Sequence, residues 1–243
     1  MSFQKILSSL RCSKMAMLIR RPYRKIFRKL EDAGITPDHP LWFLRKSRGI
    51  IHVGANVGQE AWIYALMGKP ACWFEPIPDF FSRLNSNISQ FRGQSAYQEL
   101  VTDKDGETYV FKIANNDGES SSIFDLDQHK AMYPDVAYVD SITLISRTLD
   151  TCCESYRIPC SFDALIMDTQ GSELLILKGA SNTLRNINWI YLECADFSSY
   201  SGGCTCLEIS EHLASHGFHE ALRYPKKHDS EVGSYFDILY TRV

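Results

Sequence analysis

The stretch Ile50-Ile51-His52-Val53-Gly54-Ala55-Asn56-Val57-Gly58-Gln59-Glu60, followed by Phe74-Glu75-Pro76, decides the reading of the fold. Ile50 to Val53 is a short apolar run that suits a strand buried on both faces. Gly54 and Gly58 open a turn into a helix, and a second apolar run from Ala71 closes on the carboxylate of Glu75. Glycines let a backbone approach a bound nucleoside, the free amides of the turn face it, and an acid at the next strand's end accepts both ribose hydroxyls. The spacing is G-x-x-x-G and lacks the G-x-G-x-x-G pattern of a pyrophosphate cradle. A cofactor with a ribose and no phosphate, S-adenosylmethionine, therefore suits the turn better than NAD.

Further along, Phe162 to Met167 repeats the pattern, running into Asp168-Thr169-Gln170-Gly171 and a helix that Glu173 opens. Strands are expected over Gly49–Val53, Ala71–Glu75, Ala96–Val101, Ala164–Asp168 and Trp189–Glu193. Helices are expected over Gln59–Met67, Asp79–Phe91, Leu149–Tyr156, Leu174–Ala180 and Leu207–His216. This alternation gives an α/β domain with a mostly parallel sheet and helices on both faces. Asp103-Lys104-Asp105-Gly106, between Leu100-Val101 and Tyr109 to Phe111, reads as a hairpin turn. The polar stretch from Asn115 to Tyr138 has little periodicity and reads as a loop over the site or a variable surface loop.

Six segments in order carry a resemblance: His52 to Gly58; Phe74-Glu75-Pro76 with Leu84 and Asn87; Thr148-Leu149-Asp150; Ile166 to Glu173; Leu177-Lys178-Gly179-Ala180; and Tyr191-Leu192-Glu193. With them the chain resembles the FkbM family of S-adenosylmethionine-dependent methyltransferases over roughly Gly49 to Phe218. The resemblance implies the class I methyltransferase (Rossmann-like) fold, a mostly parallel seven-stranded sheet whose closing pair, Gly217-Phe218 and Ser234–Tyr240, is antiparallel. It implies methylation of a hydroxyl on a saccharide, glycolipid or natural product. It also makes Asp103, after the third strand, a partner for the adenine amine. Gly54, Ala55, Asn56, Gly58, Glu75 and Asp103 are thus the cofactor-binding candidates. One departure is His52, which stands where the family commonly has an acid. It reads either as a polar contact to the cofactor or as a satisfied histidine at a strand end, and a single histidine on an apolar strand favours the second.

Residues 1–48 hold twelve Lys/Arg against three Asp/Glu, and the remainder fourteen against twenty-six. An acidic methyltransferase domain over residues 49–243 does not suit a nucleic-acid groove. In the basic N-terminal segment, residues 1–48, Ile19, Tyr23, Ile26, Phe27 and Leu30 recur at helical spacing among Arg and Lys. Such a helix packs its stripe on the domain or lies on an anionic membrane surface. No run approaches a membrane span and no signal core is present, so a cytoplasmic location, with peripheral membrane contact, is expected. The eight cysteines show no paired C-x-x-C framework and read as reduced core residues.

Methyl transfer from a sulfonium needs an aligned, dry pocket, and a neutral hydroxyl acceptor also needs a base. Asp168 and Glu193, at the ends of strands expected side by side, are the catalytic candidates, Asp168 first. A magnesium ion held by this pair is a further option that two or three carboxylates support only weakly. Glu173 reads equally as favourable charge at a helix start and as a substrate contact. Two other functions stay open: a catalytically silent scaffold on the same fold, which His52 keeps in view, and an NAD-dependent oxidoreductase, which the glycine spacing disfavours.

Overall fold

A computed structural model describes residues 29–242. In chain order it contains a 3-10 helix (Pro40–Lys46), β1 (Ile50–Val53), α1 (Ala61–Leu66), β2 (Ala71–Phe74), α2 (Pro78–Ile88), β3 (Gln94–Tyr97), β4 (Leu100–Thr102), β5 (Thr108–Ala114) and β6 (Asp125–Leu126). There follow α3 (His129–Met132), β7 (Tyr138–Thr148), α4 (Leu149–Ser155), β8 (Ala164–Met167), α5 (Glu173–Lys178), β9 (Trp189–Ala195), β10 (Tyr200–Ser201), α6 (Cys206–Ser215), β11 (Phe218–Asp229) and β12 (Gly233–Arg242). The seven-stranded sheet has the order β11-β12-β9-β8-β1-β2-β3. Its five strands from β9 to β3 are parallel, β12 is antiparallel to β9, and β11 is antiparallel to β12.

Every position of β1, β2 and β8 is buried, because helices cover both sheet faces. Alternate residues divide between two cores. Ile51, Val53, Phe74, Leu165 and Met167 pack with Leu149 of α4, Leu177 of α5 and Leu213 of α6. Ile50, Trp73 and Ile166 pack on the other face with Tyr64 of α1 and Leu84 of α2. The segment set apart by its basic charge enters this second core, where Leu30, Ile35, Leu41 and Leu44 are buried. Ile19, Tyr23, Ile26 and Phe27 lie outside the described residues.

The run expected as one strand over Ala96–Val101 is two strands in different sheets. β3 closes the main sheet, and β4 joins a three-stranded sheet of order β4-β7-β5. The expected hairpin across Asp103–Gly106 is likewise corrected, since β7 lies between β4 and β5, parallel to the first and antiparallel to the second. The cause is visible at Asp105, whose carboxylate accepts from Thr148 N (2.8 Å) and Thr151 Oγ1 (2.8 Å) at the start of α4. Gly106 N donates to Ser146 O at 2.9 Å, so the turn is stitched to β7 as well as to Thr102 at its own start.

Candidate active site

The strand order reverses between β1 and β8, and ligands of such sheets sit beyond the carboxyl ends of the strands at that point. A cavity of about 390 Å³ opens there, lined by the β1 turn, the ends of β2 and β8, Glu193 of β9, and the segment after β5. This volume suits a small-molecule site.

Glu75 stands at the end of β2, only 4% exposed. Its Oε2 accepts from Asn56 N at 2.8 Å and its Oε1 from Ile77 N at 2.9 Å. Burial pushes its pKa up to about 7, while these two amides pull it down. Gly54 N and Ala55 N both donate to Phe74 O, and Gly58 N donates to Ala55 O. The expectation of free amides facing a ligand is therefore corrected at these four positions: the turn spends them within the protein. A pyrophosphate would find few donors here, whereas a carboxylate acceptor fits a ribose.

Gly54 also has a packing task within the protein. A Cβ there would lie 2.0 Å from the Asp168 carbonyl oxygen, so the glycine lets the turn lie against the end of β8. At Gly58 a Cβ would meet Leu84 of α2 at 2.6 Å. Gly54, Ala55, Asn56 and Glu75 line the cavity, while Gly58 and Asp103 stand outside its lining. The segment after β3 contributes Glu99, Leu100 and Val101 instead. Asp103 is displaced because β4 has turned into the small sheet, where Asp103 Cα packs close to Gly179.

His52 lines the cavity wall and is 4% exposed. Its Nδ1 lies 3.1 Å from the Tyr64 hydroxyl, and its ring stacks on Trp73 with centroids 4.7 Å apart. Burial depresses its pKa to about 3, so the ring is neutral and brings no charge to the site. The reading as a satisfied core histidine fits this geometry.

Met167 pairs with Leu192, which sets Asp168 level with Glu193 on the neighbouring strand, and both line the cavity. β9 runs on to Ala195, so Glu193 lies within its strand and not at its end. Asp168 Oδ1 accepts from Gln170 Nε2 at 2.6 Å. Glu193 forms an ion pair with Lys226 of β11, whose ammonium is also 3.7 Å from Asp237. Burial and the nearby Asp168 charge push the Glu193 pKa up to about 8, against the opposing pull of Lys226. Glu173 is 2% exposed and accepts from Thr169 N, Thr169 Oγ1 and Gly171 N at 2.8 to 3.0 Å. It shapes the turn after β8 and lies outside the cavity lining.

The segment from Asn115 to Tyr138 does cover the site, contributing Asn116, Ser120, His129 and Tyr133 to the wall. Ser122 Oγ donates to Gln170 O at 2.7 Å, and β6 pairs with β10, which fixes the cover on the strand-end turns. His129 spans Tyr235 Oη (2.6 Å) and Ser120 Oγ (3.1 Å), and burial, then Lys227, lowers its pKa to about 4. Sequence reasoning missed Glu60, His129 and Lys226. Glu60 sits directly after the glycine turn, a position that could have flagged it, and burial followed by the Asp168 charge raises its pKa. Among the described residues, no group of three or more His, Cys, Asp or Glu side chains is placed to hold a metal ion. No described helix is long and apolar enough to cross a membrane.

The model of the methyltransferase FkbM domain matches residues 52–220. The chain belongs to this family. It is an S-adenosylmethionine-dependent methyltransferase, and the carboxylate of Glu75 beside a turn that bonds the amides of Gly54, Ala55, Asn56 and Gly58 internally fits that cofactor. Among curated proteins, this methyltransferase is 27% identical over 192 residues to the 2-O-methyltransferase NoeI of Sinorhizobium fredii, covering 75% of this chain and 77% of that one. It is 28% identical over 141 residues to the hexuronic acid methyltransferase AglP of Haloferax volcanii, covering 58% of this chain and 53% of that one. Among solved structures, the magnesium protoporphyrin IX methyltransferase of Synechocystis with bound SAM has a TM-score of 0.49 at 9% identity, over 83% of this chain and 75% of that one. Two motifs of the FkbM domain lie away from the cavity and hold helices. Asp150 accepts from Asn182 N, Thr183 N and Thr183 Oγ1, and a Cβ at Gly179 would meet Thr102 O at 2.3 Å.

Proposed function

We propose that this methyltransferase methylates a hydroxyl oxygen of a saccharide, a glycolipid or a related natural product. The observation that carries this reading is the pair of adjacent carboxylates, Asp168 and Glu193, lining the cavity beside the β1 turn. The names of the relatives NoeI, a 2-O-methyltransferase, and AglP, a hexuronic acid methyltransferase, support it. When bound, the cofactor supplies an electrophilic methyl group on a sulfonium. The residues of this chain do the rest. Glu75 holds the ribose, with Gly54, Ala55 and Asn56 forming the adjoining wall. The segment from Asn115 to Tyr138 forms a further wall of the cavity. Asp168 orients the acceptor hydroxyl and takes its proton, and Glu193 is the second candidate for that task.

A neutral hydroxyl is a weak nucleophile, so a positioned base is worth roughly a hundredfold or more in rate. The test is transfer of radiolabelled methyl from S-adenosylmethionine to a panel of saccharides, with Asp168→Asn as the variant. Turnover on an accepted saccharide should fall by about a hundredfold with cofactor affinity retained. Near-normal turnover in Asp168→Asn would move the role to Glu193.

The basic segment supports a second contact, with anionic membrane surfaces, through its excess of Lys and Arg over Asp and Glu. Binding to anionic vesicles should weaken as salt rises and should fall when residues 1–28 are removed. Equal binding by both forms would end that reading.

A further inference from the structure

Lys226 reaches the site from a β-bulge. Pro225 of β11 pairs with Phe236 and Lys227 with Tyr235, leaving Lys226 as an extra residue with no cross-strand partner. Bulges of this kind re-aim a side chain and recur beside active sites. Here the side chain crosses β12 to the carboxylate of Glu193 on β9 and comes within 3.7 Å of Asp237. The groups facing Glu193 are Asp168 from the end of β8, Asp237 and Tyr235 from β12, Lys226 from β11, Tyr133 after α3, and Tyr191 on its own strand, while Asp168 also faces Glu60 after the β1 turn and Glu173 of α5. Of these, Lys226 alone is cationic.

Two neighbouring carboxylates repel, and the less exposed of them, here Glu193 beside the exposed Asp168, tends to keep its proton. A protonated partner has no vacancy for the proton of an acceptor hydroxyl. We propose that Lys226 is a positioning residue that draws Glu193 toward ionisation, against burial and the neighbouring Asp168 charge, so that Glu193 can share with Asp168 the orienting of the acceptor hydroxyl and the receipt of its proton. The proton leaves the acceptor oxygen for a carboxylate oxygen, and Lys226 keeps its own protons throughout. This rests on the reading of the pair as the groups that face the acceptor. Burial alone would lower the Lys226 pKa, but Glu193, Asp237 and Asp168 together raise it, so the ammonium is a fixed charge.

The inference is tested without knowing the acceptor. The full chain, labelled with carboxyl-13C glutamate, is titrated by NMR as wild type, Lys226→Met and Lys226→Arg, with Glu193→Gln assigning the resonance. In Lys226→Met the Glu193 midpoint should rise by about one pH unit or more, whereas Lys226→Arg should hold it near the wild-type value. An unmoved midpoint in a folded Lys226→Met protein overturns the proposal, as does an equal shift in both variants, which would mark a packing effect. If Lys226→Met does not fold, Lys226→Gln takes its place under the same two criteria. Calorimetry with S-adenosylmethionine separates the levels: a wild type that binds no cofactor sinks the proposed function and leaves the titration result to stand by itself.

Discussion

Gln170 donates from Nε2 to Asp168 Oδ1 at 2.6 Å while its Oε1 accepts the Tyr200 hydroxyl at 2.5 Å. The carboxylate proposed to meet the acceptor is thus held from behind by a side chain that is itself held. Gln170 has φ of 55°, so the strain of its turn is part of how the amide is aimed. Tyr200→Phe removes the outer hydrogen bond and keeps the ring. It should lower turnover by up to about tenfold, the worth of one neutral hydrogen bond, with cofactor affinity unchanged. Steady-state kinetics with an accepted saccharide checks this, and an equal loss in cofactor affinity would count against it.

Glu75 gives a pH-dependent prediction. Ribose hydroxyls need acceptors, so the ionised carboxylate binds better, and cofactor affinity should rise with pH through about 7, where Glu75 titrates. Stability of the cofactor-free protein runs the other way. A carboxyl whose folded pKa lies above its unfolded value stabilises below the unfolded pKa, and that contribution is lost as pH rises through about 7. Calorimetry from pH 6 to about 8 on wild type and Glu75→Gln reads both, and the slope should flatten in the variant. Glu75→Ala should lose about 2 kcal/mol or more of cofactor affinity, and a dissociation constant equal to wild type would remove the ribose role.

The two glycine environments separate strain from collision. Gly106 has φ of +79° and open space where a Cβ would go, so Gly106→Ala should cost only about 1 kcal/mol. Gly54 has φ of +80° and the Asp168 carbonyl oxygen 2.0 Å from that position, so Gly54→Ala adds a backbone collision and should cost several kcal/mol. Chemical denaturation of both variants checks the ranking. Equal costs would mean that the β1 turn and the end of β8 move apart freely.

Burial of the basic segment's inner end changes what truncation should do. Leu30 is 1% exposed and Ile35 2%, both in the core shared with Trp73 and Tyr64. Removing all residues before Thr36 should therefore destabilise the domain. Leu30→Ala should cost about 2 to 5 kcal/mol in the same unfolding measurement. Full stability of the protein lacking its first 35 residues would contradict this placement.

The chain order of apolar runs and glycine turns determined the sheet and the carboxylates at its edge. A four-residue strand buried on both faces has one direction and one open end, so Glu75 after β2 and Asp168 after β8 had to meet at the edge where the strand order reverses. Glu193 followed from the register of β9 with β8. The amino-acid order did not reveal that Ala96–Val101 divides between two sheets, because local patterning cannot show that β7, some forty residues later, competes for β4 and β5. Nor did it reveal Lys226, which is separated from Glu193 by 33 residues and aimed by a bulge that only strand pairing creates. Local sequence sets which residues end a strand, but a charge reaching Glu193 across an intervening strand exists only once the sheet has closed.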